Sequence, residues 1–184
     1  ANAIEELRQS PEKAGGAYYV TDLAAKDITP APEGFEPFYI NGYFRHGARQ
    51  IDDPVTYVRI YECMETAQAT DNLTDFGLAM YQRLAGQKQN VYYHEGDLTQ
   101  IGYAQLREMG KRMVDNYPSV FQGDAYLKAN ATNVLRVAAS MQSFVQGVTS
   151  KRPEIPWAEI DNSKAHLSTI HPYGTQCPTK KPID

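Results

Sequence analysis

The apolar positions of this chain fall into helical stretches and two short extended runs, separated by proline, glycine and capping residues. The first run is "FYINGYF" at 38–44, aromatic and β-branched, which reads as a strand of a covered sheet. Ahead of it, Pro30, Pro32, Gly34 and Pro37 set an extended lead-in, since proline lacks the amide that a helix or central strand needs. Asp53 followed by Pro54 predicts a helix start, a capping carboxylate before a proline at the first helical position, with the helix running to about Gln68. A second helix is predicted from near Thr74 to near Gly86. A third follows Asp97 and Gln100, a capping-box-like pair. Its apolar face is Gly102, Leu106, Met109, Met113 and Tyr117, at helical spacing, and Pro118 ends it.

The second extended run is "DAYLKANA", in which Ala125, Leu127, Ala129 and Ala131 alternate to one face. From Thr132 a fourth helix follows, with Val134, Val137, Met141, Phe144 and Val148 at helical spacing. Beyond Thr149 the proline-rich "KRPEIPW" and "HPYGTQCPTKKP" carry no long periodic segment. The order strand, helices, strand, helix predicts an α/β domain, a sheet flanked by helices over 1–149, with 150–184 as an irregular segment. "LTDFG" and "LTQIG" look like an internal repeat, but two capped helix starts explain the likeness more simply.

Composition narrows the function. The chain has 184 residues, 42% hydrophobic and 22% charged, which suits one folded domain and excludes a disordered one. Thirteen tyrosines suit half-buried and binding surfaces. A net charge of −4 gives no general attraction for nucleic acid or anionic membrane, so affinity for an anion must be local. No apolar run approaches the ~18 residues of a membrane helix. Cys63 and Cys177 stand apart without a CxxC pair, against a zinc site; one disulfide and a buried free thiol at Cys63 are both open. No signal peptide is visible, although "ANAIEELRQ" is compatible with what remains after cleavage at a small-residue site.

The local positive charge lies at the strand ends. Arg45, His46 and Arg49 follow the first predicted strand, and Arg136 opens the helix after the second. Ligands of open α/β sheets bind beyond the carboxyl ends of strands, so neighbouring strands would gather the three arginines around His46. Guanidinium forks match phosphate oxygens. Gly47 removes a side chain where an anion would approach the backbone. Like charge would keep His46 neutral and nucleophilic, fit to form a covalent intermediate with phosphorus. An Arg-His pair alone also suits a solvated loop, so the decision rests on other segments.

Those segments agree. "RHGAR" at 45–49 resembles the active-site signature of the histidine phosphatase superfamily, in its histidine acid phosphatase branch. "GDLTQIGYAQLREMGKRM" resembles that branch's next helix, with Leu98, Thr99, Gly102, Gln105 and Gly110 in place. "ATNVLRVAASMQSF" resembles its second phosphate-pocket segment through Ala131, Thr132, Arg136, Ser140 and Phe144, with Val137 where many members have threonine. The lead-in resembles bacterial relatives of multiple inositol polyphosphate phosphatases, or phytases. The resemblance covers most of residues 10–148. It implies His46 as the nucleophile that becomes phosphohistidine, and Arg45, Arg49 and Arg136 as ligands of the transferring phosphate, with no metal or other cofactor.

It also implies, after an inserted helical domain, a second phosphate-holding histidine followed by an Asp or Glu that protonates the leaving group. The 184 residues contain no His-Asp and no His-Ala-Glu. His94 beside Glu95 reads as a loop pair, and His166 and His171 as surface residues. The expectation is therefore the amino-terminal half of a phosphatase core, as a fragment, a gene shortened by frameshift, or a natural short form. Three activities follow: phosphomonoester hydrolysis, with inositol phosphates as a substrate class; phosphate binding by a non-catalytic pseudoenzyme; and phosphoryl transfer to an alcohol, as in a mutase. The expected partners are a phosphorylated small molecule or inorganic phosphate, without nucleic acid or membrane. Self-association, or pairing with a carboxy-terminal half, would cover an open sheet edge. The branch is commonly exported, which places the chain in the periplasm or outside the cell.

Overall fold

Each long helix ahead of the site begins where a short polar side chain can satisfy a free amide. The computed structural model describes residues 2–11, 13–14 and 28–170. A short helix α1 (Ala3–Gln9) is capped by Asn2, and residues 28–33 continue without helix or strand. Helix α2 (Val55–Ala69) starts as expected, with Asp53 Oδ1 accepting from the Val55 amide at 2.9 Å. Helices α3 (Asp75–Val91) and α4 (Gln100–Asn116) share one cap: Thr74 accepts from the Gly77 amide and Thr99 from the Gly102 amide, both at 3.1 Å. That common cap explains the "LTDFG"/"LTQIG" likeness. It also corrects the Asp97–Gln100 expectation, because Thr99 is the cap and Asp97 instead meets the His94 ring. Helix α3 runs past Gly86, whose α-carbon faces open space, and "QKQNV" carries it on. The glycine costs about 1 kcal/mol of propensity without ending the helix.

Strand β1 (Leu127–Asn130), helix α5 (Leu135–Lys151) and strand β2 (Trp157–Asp161) form a β-α-β unit, in which β2 lies parallel to β1. The pairing sets Ala129 beside Ile160 and Asn130 beside Asp161. Strand β2 was not expected, because Pro153 and Pro156 obscure a five-residue run. The Pro156 carbonyl nonetheless accepts from Leu127 N at 3.0 Å and joins the ladder. The run 38–44, expected as a strand, is not one. No described strand lies beside it to complete a ladder. Only Ile40 of its apolar side chains packs on the core, and Phe38 is 91% exposed. Ser119 Oγ donates to Pro37 O at 2.7 Å, and the Phe44 and Phe144 rings stack at 5.4 Å, fixing the two ends of the run. Among the described residues the architecture is thus helical with one small parallel sheet, compatible with an α/β fold.

Helices α4 and α5 cross closely because glycines face each other. A side chain at Gly110 would come within 3.0 Å of Val148 N, and one at Gly147 within 3.0 Å of the Arg107 carbonyl carbon. The buried ridge of α4 is accordingly Gly102, Leu106, Gly110 and Val114, a step-of-four row of small and apolar residues. Met109, Met113 and Tyr117, expected on that face, are half-buried at its margin. On α5, Val148 is fully buried, Val137, Met141 and Phe144 are half-buried, and Val134 sits exposed at the cap. Val114, Phe121, Val148 and Ile155 form the core cluster. Between α2 and α3 the tyrosines do the packing: Tyr57 OH donates to Leu84 O, Tyr61 and Tyr81 lie 5.5 Å apart, and Lys88 Nζ sits 5.0 Å from the Tyr61 ring. Cys63 is a free thiol and is exposed, not buried, on α2. Cys177 and His171 lie outside the described residues.

Candidate active site

The turn at 46–50 presses by its backbone on the start of α4, and side chains of α4 and α5 bond to its backbone groups. A β-carbon on Gly47 would fall 2.7 Å from Gly102 Cα and closer still to the Gly102 carbonyl, so the turn presses directly on the first turn of α4. The Gly47 amide donates to Ser140 Oγ at 3.1 Å, and that hydroxyl donates to Arg136 O at 2.7 Å. The Ala48 amide donates to Gln105 Oε1 at 2.8 Å. The Ala48 carbonyl accepts from both the amide and the hydroxyl of Thr99, each at 2.9 Å. Arg49 bridges to Leu98, and Gln50 N donates to Asp97 O at 2.8 Å. Thr99, Gln105 and Ser140 thus explain why two segments distant from the turn carry their polar residues at fixed places: each satisfies a backbone group of the "RHGAR" turn.

This stitching brings the predicted site residues together. His46 is half-buried, and its Nδ1 lies 2.7 Å from the Gly47 carbonyl. A carbonyl only accepts, so Nδ1 carries the hydrogen and the neutral ring leaves its lone pair on Nε2. Burial is the main influence holding the His46 pKa below its ordinary value, and the charges of Arg45, Arg136 and Arg49 add to it, against the opposing bond to Gly47. Arg45 is exposed, whereas Arg49 and Arg136 are largely covered, and each keeps a buried Nε without a partner among the described residues. Arg49 Nη1 donates to Gln50 O at 2.9 Å.

Asp52 is the site residue that sequence reasoning missed. Its Oδ2 pairs with Arg49 Nη2, and its Oδ1 lies 3.9 Å from Arg136 Nη2. The only signal was an acid three positions after Arg49, and the adjacent Asp53–Pro54 helix start absorbed it. Gly96 closes over the same group, with φ +74 and its amide donating to Ile51 O at 3.0 Å. His94 is a loop residue, as expected, with Nδ1 3.0 Å from Asp97 Oδ2. Beside Arg45 and His46 opens a groove of about 940 Å³, walled by Tyr39, Phe44, Tyr126, Met141 and Phe144. Among the described residues no three of His, Cys, Asp and Glu converge as metal ligands, and no helix is long and apolar enough to cross a membrane.

A half-buried neutral histidine with its lone pair on Nε2 can attack a phosphorus atom, and the arginines whose charges act on it can stabilise the charge that develops on the oxygens. The family comparison agrees with that class of chemistry. The model of the histidine phosphatase superfamily (branch 2) matches residues 43–181, most of the chain. The chain belongs to this superfamily, whose chemistry is phosphoryl transfer through a phosphohistidine. No curated protein matches it.

Proposed function

We propose that this chain carries the nucleophilic half of a phosphomonoesterase, with His46 as nucleophile and Arg45, Arg49 and Arg136 as the phosphate grip. The observation that carries the reading is a half-buried histidine whose Nδ1 is tied to the Gly47 carbonyl, with Arg45, Arg136 and Arg49 near enough for their charges to oppose its protonation. In the first step the Nε2 lone pair forms the N–P bond while the P–O bond to the alcohol breaks, and the oxygen leaves with a proton from an acid. In the second step water attacks phosphorus, the N–P bond breaks, and inorganic phosphate departs as neutral His46 is restored. The arginines act on the equatorial oxygens, where charge accumulates in the transition state.

The proton for the leaving group belongs to the Asp or Glu that the resemblance places after a second histidine, outside these 184 residues. Inositol phosphates are the proposed substrate class, on the likeness of the lead-in, and the periplasm or the cell exterior the proposed location. A second reading, made of these 184 residues by themselves, which contain no His-Asp and no His-Ala-Glu, is a phosphate binder with little turnover. General-acid help is typically worth about 10²–10⁴ in rate, so losing it would leave binding intact and hydrolysis slow.

Calorimetry with inorganic phosphate, and turnover assays with p-nitrophenyl phosphate and phytate, separate these readings. The phosphatase reading expects saturable phosphate binding that Arg136→Ala abolishes, together with hydrolysis of p-nitrophenyl phosphate, whose leaving group makes little demand on an acid, and much slower hydrolysis of phytate. Binding without hydrolysis of either ester favours the second reading. A wild-type chain that neither binds phosphate nor hydrolyses either ester overturns both.

A further inference from the structure

We infer that Asp52 is a positioning residue that holds the guanidinium groups of Arg49 and Arg136 in the one arrangement suited to an oxyanion under attack; this rests on the phosphohistidine reading above. The two arginines come from different elements, Arg49 from the turn after "RHG" and Arg136 from the first turn of α5. Two cations directed at one point repel each other and would splay apart without an anion between them. Asp52 supplies that anion: Oδ2 pairs with Arg49 Nη2, and Oδ1 is 3.9 Å from Arg136 Nη2. One carboxylate therefore bridges both forks.

The surroundings favour this role. A side chain at Gly96 would lie 2.9 Å from Asp52 Oδ1 and 3.0 Å from Arg136 Nη1, so the loop leaves space for the bridge and nothing more. The Asp52 side chain is 51% exposed, and an exposed ion pair contributes little to stability. Its consequence is expected in the geometry of bound anions rather than in folding. Asp53, its neighbour, is occupied at the start of α2 and cannot substitute.

The test compares two oxyanions on the 184-residue chain by calorimetry: inorganic phosphate, which is tetrahedral, and orthovanadate, which takes a five-coordinate form when a histidine nitrogen attacks it. A group that fixes arginines for the transition state should matter more for vanadate than for phosphate. Asp52→Asn is expected to weaken vanadate at least about tenfold and phosphate less than about threefold, with the thermal midpoint unmoved. Asp52→Glu, which keeps the charge, should restore part of the vanadate affinity. Equal losses for both anions, no loss for either, or tighter phosphate in Asp52→Asn would overturn the positioning role. In the last case the carboxylate would be a competitor for the anion site. A wild-type chain that binds neither anion overturns the phosphohistidine reading, and the role of Asp52 with it. Binding of both by wild type, unchanged in Asp52→Asn, overturns the role of Asp52 alone.

Discussion

At the scale of the residue, the chemistry turns on which nitrogen of His46 is free and when it is free. The Gly47 carbonyl fixes the hydrogen on Nδ1, while burial and the nearby arginines hold the pKa below the ordinary value of about 6.5. A lowered pKa means that protonation, which removes the nucleophilic lone pair, begins only at a lower pH than for a free histidine. The acid limb of kcat/KM, which reports the free enzyme, is thus expected below pH ~6.5. A pH profile with an aryl phosphate checks it, and a limb above that value, lost in His46→Ala, would contradict the assigned environment. Adjacent residues show the limit of reading a line of letters. Asp52 and Asp53 are indistinguishable by type, yet one bridges arginines and the other opens a helix.

At the scale of the element, the site is held by close backbone approach of α4 to α5 and to the "RHGAR" turn, and by bonds from Thr99, Gln105 and Ser140 to the backbone of that turn. Gly147→Ala would force its new methyl against Arg107 and push the helices apart, so a loss of about 3 kcal/mol or more is expected in urea unfolding. A variant as stable as wild type would show that the helices slide freely. Ser140→Ala should cost about 1–3 kcal/mol, because it leaves the buried Gly47 amide without its acceptor. Its phosphate affinity should also fall, since Ser140 ties that amide to Arg136 O. The helices were legible in the chain because caps and periodicity are local signals, as Thr74 and Asp53 illustrate. The glycine ridge of α4 was less so, since glycines have no hydrophobic mark and their value appears only when α5 lies against them. Strand β2 and the run 38–44, which pairs with no described strand, were misjudged for one reason: pairing depends on a distant partner, not on the strand's own residues.

At the scale of the whole molecule, the aromatic run ahead of the site is exposed. Phe38 and Tyr43 are open to solvent, and β1 and β2 are the two strands of the described sheet. Exposed apolar surface next to backbone that pairs with no described strand favours association with another chain. Self-association is therefore expected in sedimentation velocity across a range of concentrations, and Phe38→Lys should reduce it. A wild-type chain that stays monomeric throughout would contradict this expectation. The positive cluster, by contrast, was readable at once, because Arg45, His46 and Arg49 are close in sequence and the net charge of −4 makes their grouping conspicuous. Arg136 was read beside them from its place after the second extended run and from the motif around it, and the fold ties it there by the chain Gly47 amide, Ser140 hydroxyl, Arg136 carbonyl.

The central claim is that His46 becomes phosphorylated. The direct measurement is acid-sensitive, base-stable label on the chain after brief mixing with a ³²P-labelled aryl phosphate. The good leaving group of such an ester makes little demand on a general acid. The account predicts label on the wild-type chain, located at His46 by peptide mapping, and none on His46→Ala. Equal labelling of His46→Ala, or hydrolysis by the wild type with no labelled chain at any quench time, would contradict it.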